Sequence, residues 1–225
     1  MSTIAIIGGT GPQGRGLGYR FARGGHAVLL GSRSEERAAE AAATLQGRIA
    51  GPGSVTGAAN VKAAEAADLV LLVVPYDGHD ALVAELAEQL DGKVVISCVN
   101  PLGFDKAGPF GLDLGPTSAA EQAQAIVPGA RLVGAFHHLS AVSLISEEES
   151  LSHEDVLVCG DDPDAKAVVI ELAATVTGKP GIDAGRLRLA RQLEPLTAVL
   201  ISINKRYKAR SGISVSGLGA ADARR

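Results

Sequence analysis

The chain has 225 residues, the size of one domain or of one domain with a small extension. Its hydrophobic content of 46% can fill a sizeable core, and its net charge of −4 argues against general binding to nucleic acid, which requires a basic surface. An aromatic content of 3% without tryptophan also argues against a platform for base stacking.

Membrane and secretory classes are disfavoured as well. The longest purely apolar run, residues 69–75, is far shorter than the ~18 residues of a membrane-spanning helix. The first residues, MSTIAII, lack the basic start of a signal peptide. Cys98 and Cys159 lie in separate apolar runs and form neither a disulfide framework nor a redox pair. We therefore expect a cytoplasmic protein that binds neither membranes nor nucleic acid.

Short apolar runs alternate with alanine-rich helical patterns over the first two thirds of the chain. In chain order the predicted elements are strand 3–7, helix 14–24, strand 26–30, helix 34–45, helix 60–67, strand 69–74, helix 77–90, strand 94–99, helix 118–127 and strand 131–136. Strands that are apolar on both faces and joined by helices indicate a Rossmann-type, doubly wound and mostly parallel α/β sheet. We expect a nucleotide-binding domain at 1–140 and a small C-terminal α/β extension at 141–225.

The remaining segments are predicted from composition. Segment 101–116 contains four glycines and three prolines, which predicts a loop without regular structure. A loop of this length is either a lid over a ligand or a plain connection. Beyond residue 140 the patterns predict strand 155–159, helix 164–174, one long helix over 187–207 carrying Pro195, and a surface tail from 213 onward.

A glycine-rich turn follows the first predicted strand. Residues 8–14, GGTGPQG, contain the pattern GxGxxG at Gly9, Gly11 and Gly14. In this pattern the first glycine permits a tight turn, the second lets the backbone approach a pyrophosphate, and the third lets the helix pack on the strand. The helix N-terminus then presents free N–H groups to the phosphates. Because the motif lies between a strand and a helix, it predicts a dinucleotide cofactor.

The end of the second strand distinguishes the two nicotinamide cofactors. An NAD site carries an acid here, whereas this chain has Gly31, Ser32 and Arg33. Ser32 can donate a hydrogen bond to a 2′-phosphate, and the Arg33 guanidinium can bind it with two parallel N–H bonds. Arg37 lies one helical turn further on and adds positive charge. The sequence therefore predicts NADP(H).

Other oxidoreductase signatures are missing. The tyrosines Tyr19, Tyr76 and Tyr207 have no lysine four residues later, which disfavours a short-chain dehydrogenase. No His, Cys or Asp cluster has the spacing of zinc ligands, so no metal is expected. About 65 residues follow Gly160, too few for the large helical substrate domain of imino-acid and hydroxy-acid reductases.

Motifs between residues 3 and 204 resemble those of the NADPH-dependent reductases of the deazaflavin coenzyme F420. They are, in chain order, GGTG at 8–11, GRGL at 14–17, GSR at 31–33, VTG at 55–57, VVP at 73–75, His137, VCGDD at 158–162, DAG at 183–185, and Glu194 with Leu196 and Thr197. The combination covers nearly the whole chain and is more specific than the glycine turn.

The resemblance implies reversible hydride transfer between the deazaflavin ring and the nicotinamide, with both rings stacked in a cleft at the C-terminal edge of the sheet. The residues that it implies as binding NADP are Thr10, Gly11, Pro12, Gln13, Ser32, Arg33 and Arg37. It further implies that Tyr76 and Leu102 lie near NADP and that His137 and Leu139 line the contact between the rings. Catalysis would then be largely positioning, with His137 orienting a ring rather than transferring a proton.

Two alternatives remain open from the residues themselves. One is an NADPH-dependent reductase of an imine, a ketone or a ferric species, and the other is a non-catalytic protein that senses NADP(H). The apolar stripe formed by Leu193, Leu196, Leu200 and Ile203 predicts helix packing, which favours a homodimer or a higher homo-oligomer. The arginines at 186, 188 and 191 suit either the anionic tail of the deazaflavin or an oligomer surface.

Overall fold

The computed structural model describes residues 1–147 and 150–218, so the last seven residues of the predicted tail lie outside the described residues. The described strands are β1 (Thr3–Ile7), β2 (Ala27–Ser32), β3 (Ser54–Ala59), β4 (Leu69–Leu72), β5 (Val94–Ser97), β6 (Leu102–Asp105), β7 (Gly108–Gly111), β8 (Arg131–Gly134), β9 (Leu157–Gly160) and β10 (Ile182–Gly185). The described helices are α1 (Pro12–Arg23), α2 (Glu35–Gln46), α3 (Asn60–Ala66), α4 (His79–Glu85), α5 (Ala87–Leu90), α6 (Ala119–Ile126), α7 (Ala141–Ile145), α8 (Pro163–Thr177) and α9 (Ala190–Tyr207), which follows a 3₁₀ turn at Leu187–Leu189.

Eight strands form one sheet in the spatial order β10-β9-β8-β5-β4-β1-β2-β3. The six from β8 to β3 are parallel, whereas β9 runs antiparallel to β8, and β10 is parallel to β9. This architecture confirms the predicted Rossmann-type, mostly parallel α/β sheet. It also places the carboxyl ends of β1, β2, β4, β5 and β8 at one edge, where ligands bind in such folds.

Helices cover both faces of this sheet, which explains its apolar strands. In β1, Ile4 and Ile6 join the core on one face, while Ala5 and Ile7 join the core on the other. All four residues of β4, LVLL, are buried for the same reason. Strands buried on both faces have no polar alternation, so their composition alone identifies them.

The prediction that residues 101–116 lack regular structure is wrong. Within this segment β6 and β7 form an antiparallel hairpin. Its turn is stabilised by the Asp105 carboxylate, which accepts hydrogen bonds from the backbone N–H groups of Ala107 at 2.7 Å and Gly108 at 3.0 Å. The hairpin also packs against α9, because a methyl group built on Gly111 would lie 2.6 Å from the Cβ of Pro195. Tertiary contact thus overrides a composition typical of loops.

A second prediction also needs correction. Residues 77–90 form two helices, α4 and α5, rather than one. They are separated at Leu86, whose φ of −96° and ψ of 5° interrupt the helical path. The short elements β3, α7 and β10 were not predicted.

Candidate active site

Two glycines of the turn, Gly9 and Gly14, are required by close packing, whereas a third, Gly11, is not. A methyl group on Gly9 would lie 2.7 Å from the carbonyl oxygen of Ile6, and one on Gly14 would lie 2.7 Å from the Cα of Gly9. By contrast, a methyl group on Gly11 would meet only the carbonyl oxygen of Gly8, at 3.5 Å. Gly8 itself has a φ of +77°, which makes the tight turn. Gly11 therefore borders open space, as a glycine that approaches a pyrophosphate must.

The N-terminus of α1 has the properties of an anion-binding site. Gly11 is its N-cap, no side chain caps the helix, and its first turn contains no acidic residue. The exposed N–H groups and the helix dipole both favour a phosphate at this end. The Gln13 side chain donates to the carbonyl oxygen of Phe136 at 3.4 Å, which links this turn to the segment after β8.

Two arginines extend the positive charge at the end of β2. Arg33 and Arg37 are exposed, and within the described part of the chain neither guanidinium makes a hydrogen bond or an ion pair. The nearby carboxylates are engaged elsewhere: Glu35 pairs with Lys62 at 3.1 Å, and Glu36 accepts from the Ser34 hydroxyl at 2.7 Å. Together with the half-buried Ser32, the arginines are available to a 2′-phosphate, so the residues present fit NADP.

A cleft of about 670 Å³ opens between the segment after β4 and the β6–β7 hairpin. Its principal side chains are Tyr76, His79, Asn100, Leu102, Phe104 and Leu112. The Tyr76 hydroxyl donates to Gln122 of α6 at 3.1 Å, and its ring stacks on His79 with centroids 6.1 Å apart. The structure thus brings the predicted site residues Tyr76 and Leu102 together on one largely apolar surface.

The segment after β8 forms the inner side of this region. His137 and Leu139 are buried, with only 4% and 6% of their surfaces exposed, and neither is among the residues that line the cleft. The His137 Nδ1 lies 3.1 Å from the Oδ1 of Asn100, and the Nδ2 of Asn100 donates to the His137 carbonyl at 3.1 Å. Asn100 therefore connects the cleft surface to His137.

Burial also determines the charge of this segment. It lowers the pKa of His137 to about 3, with the neighbouring His138 adding to the effect, so His137 is neutral at physiological pH. The ring of His138 is held separately, because its Nε2 lies 2.7 Å from the carbonyl oxygen of Leu193 in α9. A neutral, enclosed His137 suits an orienting role better than proton transfer.

Several residues at this edge escaped sequence reasoning. Asn100 lies three residues after the end of the buried β5, and polar residues at the carboxyl ends of parallel strands are a recognisable signal. Phe104 and His79, which line the cleft, had no comparable signal, since hairpin and helix packing place them there. The same holds for Gln122, which accepts the hydrogen bond of Tyr76. Arg191 is engaged with Glu121 at 2.6 Å.

Metal clusters and membrane-spanning helices are both absent from the described residues. Among residues 1–147 and 150–218, no cluster of three or more His, Cys, Asp or Glu side chains could hold a metal ion. None of the helices in those ranges combines the length and apolar character needed to cross a bilayer.

Comparison with known proteins identifies the family. A family model described as NADP oxidoreductase, coenzyme F420-dependent, matches residues 3–101. The F420-dependent NADP reductase of Methanothermobacter thermautotrophicus is 39% identical over 222 residues, covering 96% of this chain and 95% of the relative. That of Methanocaldococcus jannaschii is 36% identical over 223 residues, covering 96% and 98%.

A solved structure extends the similarity to the fold. A protein from Arthrobacter sp. FB24, named as a candidate F420-dependent NADP reductase, has a TM-score of 0.81 at 28% identity, covering 96% of this chain and 100% of that one. The similarity extends over nearly the whole chain and confirms the resemblance drawn from the motifs. The chain belongs to the family of F420-dependent NADP reductases.

Proposed function

We propose that the protein catalyses reversible hydride transfer between NADP(H) and coenzyme F420. The curated relatives that match it along nearly their whole length carry the name of this activity. The structural observation that carries the proposal is the pair of unengaged arginines, Arg33 and Arg37, beside an uncapped helix N-terminus. This arrangement suits the two anionic groups of NADP, its pyrophosphate and its 2′-phosphate.

The proposed binding site for NADP has two parts. Gly9, Thr10, Gly11, Pro12, Gln13 and Gly14 hold the pyrophosphate, chiefly through backbone N–H groups at the start of α1. Ser32, Arg33 and Arg37 hold the 2′-phosphate. Both parts lie at the carboxyl edge of the sheet, since α1 follows β1 and the arginines follow β2. The nicotinamide end would then extend along this edge toward β4 and β5.

The proposed reaction needs no nucleophile and no metal from the protein. When NADP(H) and F420 are bound, they supply the hydride donor and acceptor, and the chain supplies their alignment. Tyr76, Leu102 and Phe104 give the cleft an apolar surface on which planar rings can lie and from which they exclude water. His137 and Leu139 support the ring contact from the interior, with His137 uncharged.

We further infer that residues 1–140 bind NADP and that residues 141–225 complete the deazaflavin site. In support, α9 contacts the cleft region through Thr197, whose hydroxyl donates to the His137 carbonyl at 3.0 Å. We also propose a cytoplasmic homodimer or higher homo-oligomer. Leu193 and Leu200 of the apolar stripe are buried within the chain, but Leu196 and Ile203 are partly accessible, and Val199 is 52% exposed. Sedimentation equilibrium tests this association.

A direct assay tests the function. The protein is mixed with NADPH and oxidised F420, and the loss of deazaflavin absorbance is followed. Turnover of this acceptor supports the proposal, whereas turnover only with imines, ketones or ferric complexes favours the alternative reductase. Tight binding of NADP(H) without turnover of any acceptor would identify a sensor protein instead.

A further inference from the structure

We propose that Asn100 is a positioning residue, which holds both the ring and the backbone carbonyl of His137 in place behind the cleft. The inference rests on the proposed function for its effect on hydride transfer. Asn100 is a half-buried residue that lines the cleft, whereas His137 is buried behind it. One side chain thus touches the space where the rings would lie and also holds the segment beneath them.

The two contacts define the orientation of the Asn100 amide. A backbone carbonyl can only accept, so the group that meets the His137 carbonyl at 3.1 Å must be the NH₂ of Asn100. The amide oxygen then faces the His137 Nδ1, also at 3.1 Å. Because an amide oxygen can only accept, Nδ1 must carry the proton. The His137 Nε2 is left as an unprotonated nitrogen in the interior, without a hydrogen-bond partner among the described residues.

These contacts oppose relaxation of a strained backbone. Phe136, directly before His137, has a φ of +62°, a conformation that non-glycine residues adopt only when their surroundings hold them there. Its carbonyl accepts from Gln13, and the next carbonyl, that of His137, accepts from Asn100 and Thr197. Side chains from the start of α1, the end of β5 and α9 therefore converge on two consecutive peptide groups. Of these three, Asn100 also holds the histidine ring.

The proposed reaction explains why the position of His137 matters. Hydride transfer depends on the separation and alignment of two carbons, and a displacement of about 1 Å can cost about a hundredfold in rate. Loss of Asn100 would remove the amide oxygen that faces the Nδ1–H of His137. It would also remove one of the two donors to the His137 carbonyl, so the segment behind the rings could shift.

The test compares Asn100→Leu, which removes both contacts, with Thr197→Val, which removes only the other donor to the same carbonyl. Single-turnover hydride transfer is followed by stopped flow, and the Kd for NADP⁺ is measured separately. We expect Asn100→Leu to slow hydride transfer at least tenfold. The Kd for NADP⁺ should change less than threefold, because the residues proposed to bind its phosphates lie at the start of α1 and the end of β2. Asn100→Ala serves as the second variant if Asn100→Leu does not fold, because water from the cleft can fill the space that the shorter side chain leaves.

A spectroscopic measurement separates positioning from general instability. In protein labelled with ¹⁵N-histidine, the His137 signals are assigned by comparison with His137→Gln. The wild type and Thr197→Val should both show the proton on Nδ1, whereas in Asn100→Leu that resonance should shift or broaden. A proton on Nε2 in the wild type, or Asn100→Leu with unchanged resonances and a rate within twofold of wild type, would overturn the proposal. Absence of F420 turnover by the wild type would instead refute the proposed function and leave the spectroscopic result standing.

Discussion

The carboxylate of Glu194 accepts a hydrogen bond from the backbone N–H of Ala119 at 2.9 Å, so that α9 caps the first turn of α6. The next N–H, that of Ala120, donates to the other carboxylate oxygen at 3.0 Å. Glu194 is only 1% exposed, and its burial raises its pKa to about 7. This contact joins the helix that carries Gln122, the partner of Tyr76, to the helix that carries Thr197.

The raised pKa predicts a pH-dependent stability. The folded state binds a proton at Glu194 more tightly than the unfolded state, whose pKa is near 4.5. Between pH 4.5 and 7 the folded state therefore holds more protons, and the free energy of unfolding contributed by this residue falls as the pH rises, by up to about 3 kcal/mol. Urea unfolding at pH 5 and pH 8 should show that Glu194→Gln gains stability relative to wild type at the higher pH. Parallel pH profiles for the two proteins would contradict this assignment.

The glycine turn predicts opposite effects for two neighbouring alanine substitutions. Gly14→Ala places a methyl group against the backbone of Gly9 and should destabilise the fold by about 1–3 kcal/mol, measured by thermal unfolding. Gly11→Ala should leave stability unchanged, since its φ of −73° and ψ of 165° suit alanine and its surroundings are open. It should nevertheless weaken NADP binding at least tenfold, because the methyl group occupies the space of the pyrophosphate. Wild-type affinity in Gly11→Ala would exclude this turn as the phosphate site.

Arg33 predicts the preference between cofactors. Arg33→Ala should weaken NADP binding by about 2 kcal/mol, some thirtyfold, through loss of the charged hydrogen bonds to the 2′-phosphate. Binding of NAD should hardly change, and the effect on NADP should shrink at high salt. Titration calorimetry with both cofactors checks this, with Arg23→Ala, an exposed arginine at the end of α1, as the control. An equal loss of affinity for NAD and NADP would show that Arg33 does not bind the 2′-phosphate.

The position of Phe104 in the cleft predicts that its removal weakens binding of F420. Its side chain is 68% exposed yet lines the cleft, so Phe104→Ala should not lower the melting temperature. Loss of apolar contact worth about 1 kcal/mol should raise the KM for F420 about fivefold while the Kd for NADP stays constant. Val168→Ala on α8 is the matched control, since Val168 is an exposed apolar residue outside the cleft. Equal KM values in the two variants would place the deazaflavin away from the hairpin.

The parallel core could be predicted because its strands are recognisable one at a time. β4 is apolar at every position and β5 at its first three, and the glycine turn marks the junction of β1 and α1. β3 escaped prediction because its sequence, SVTGAA, consists mainly of small residues and contains only one branched apolar side chain, Val55. Its placement depends on contact with α2, where a methyl group on Gly57 would overlap the backbone of Ala38.

The site shows the same division. Ser32 and Arg33 could be found because a role in cofactor binding follows from their position at the carboxyl end of a single strand, β2. Asn100 could not be assigned a role, since its partner, His137, lies 37 positions further on and meets it only because β5 and β8 are neighbours. The hairpin was mistaken for a loop because its glycines and prolines are tolerated through contact with α9.

The pairing of β9 with the end of β8 makes the active edge dependent on the register of α9. Cys159 of β9 lies opposite Gly134, the last residue of β8, and is itself paired with Gly185 at the end of β10. Ala190, the first residue of α9, lies 3.6 Å from a methyl group built on Gly134, so α9 begins beside the carboxyl end of β8. Glu194 and Thr197, three positions apart on one side of that helix, then arrive together at the carboxyl edge. One residue inserted earlier in α9 would advance both by about 1.5 Å and rotate them by about 100°. Length variation among relatives should therefore accumulate before or after α9 and spare its first two turns.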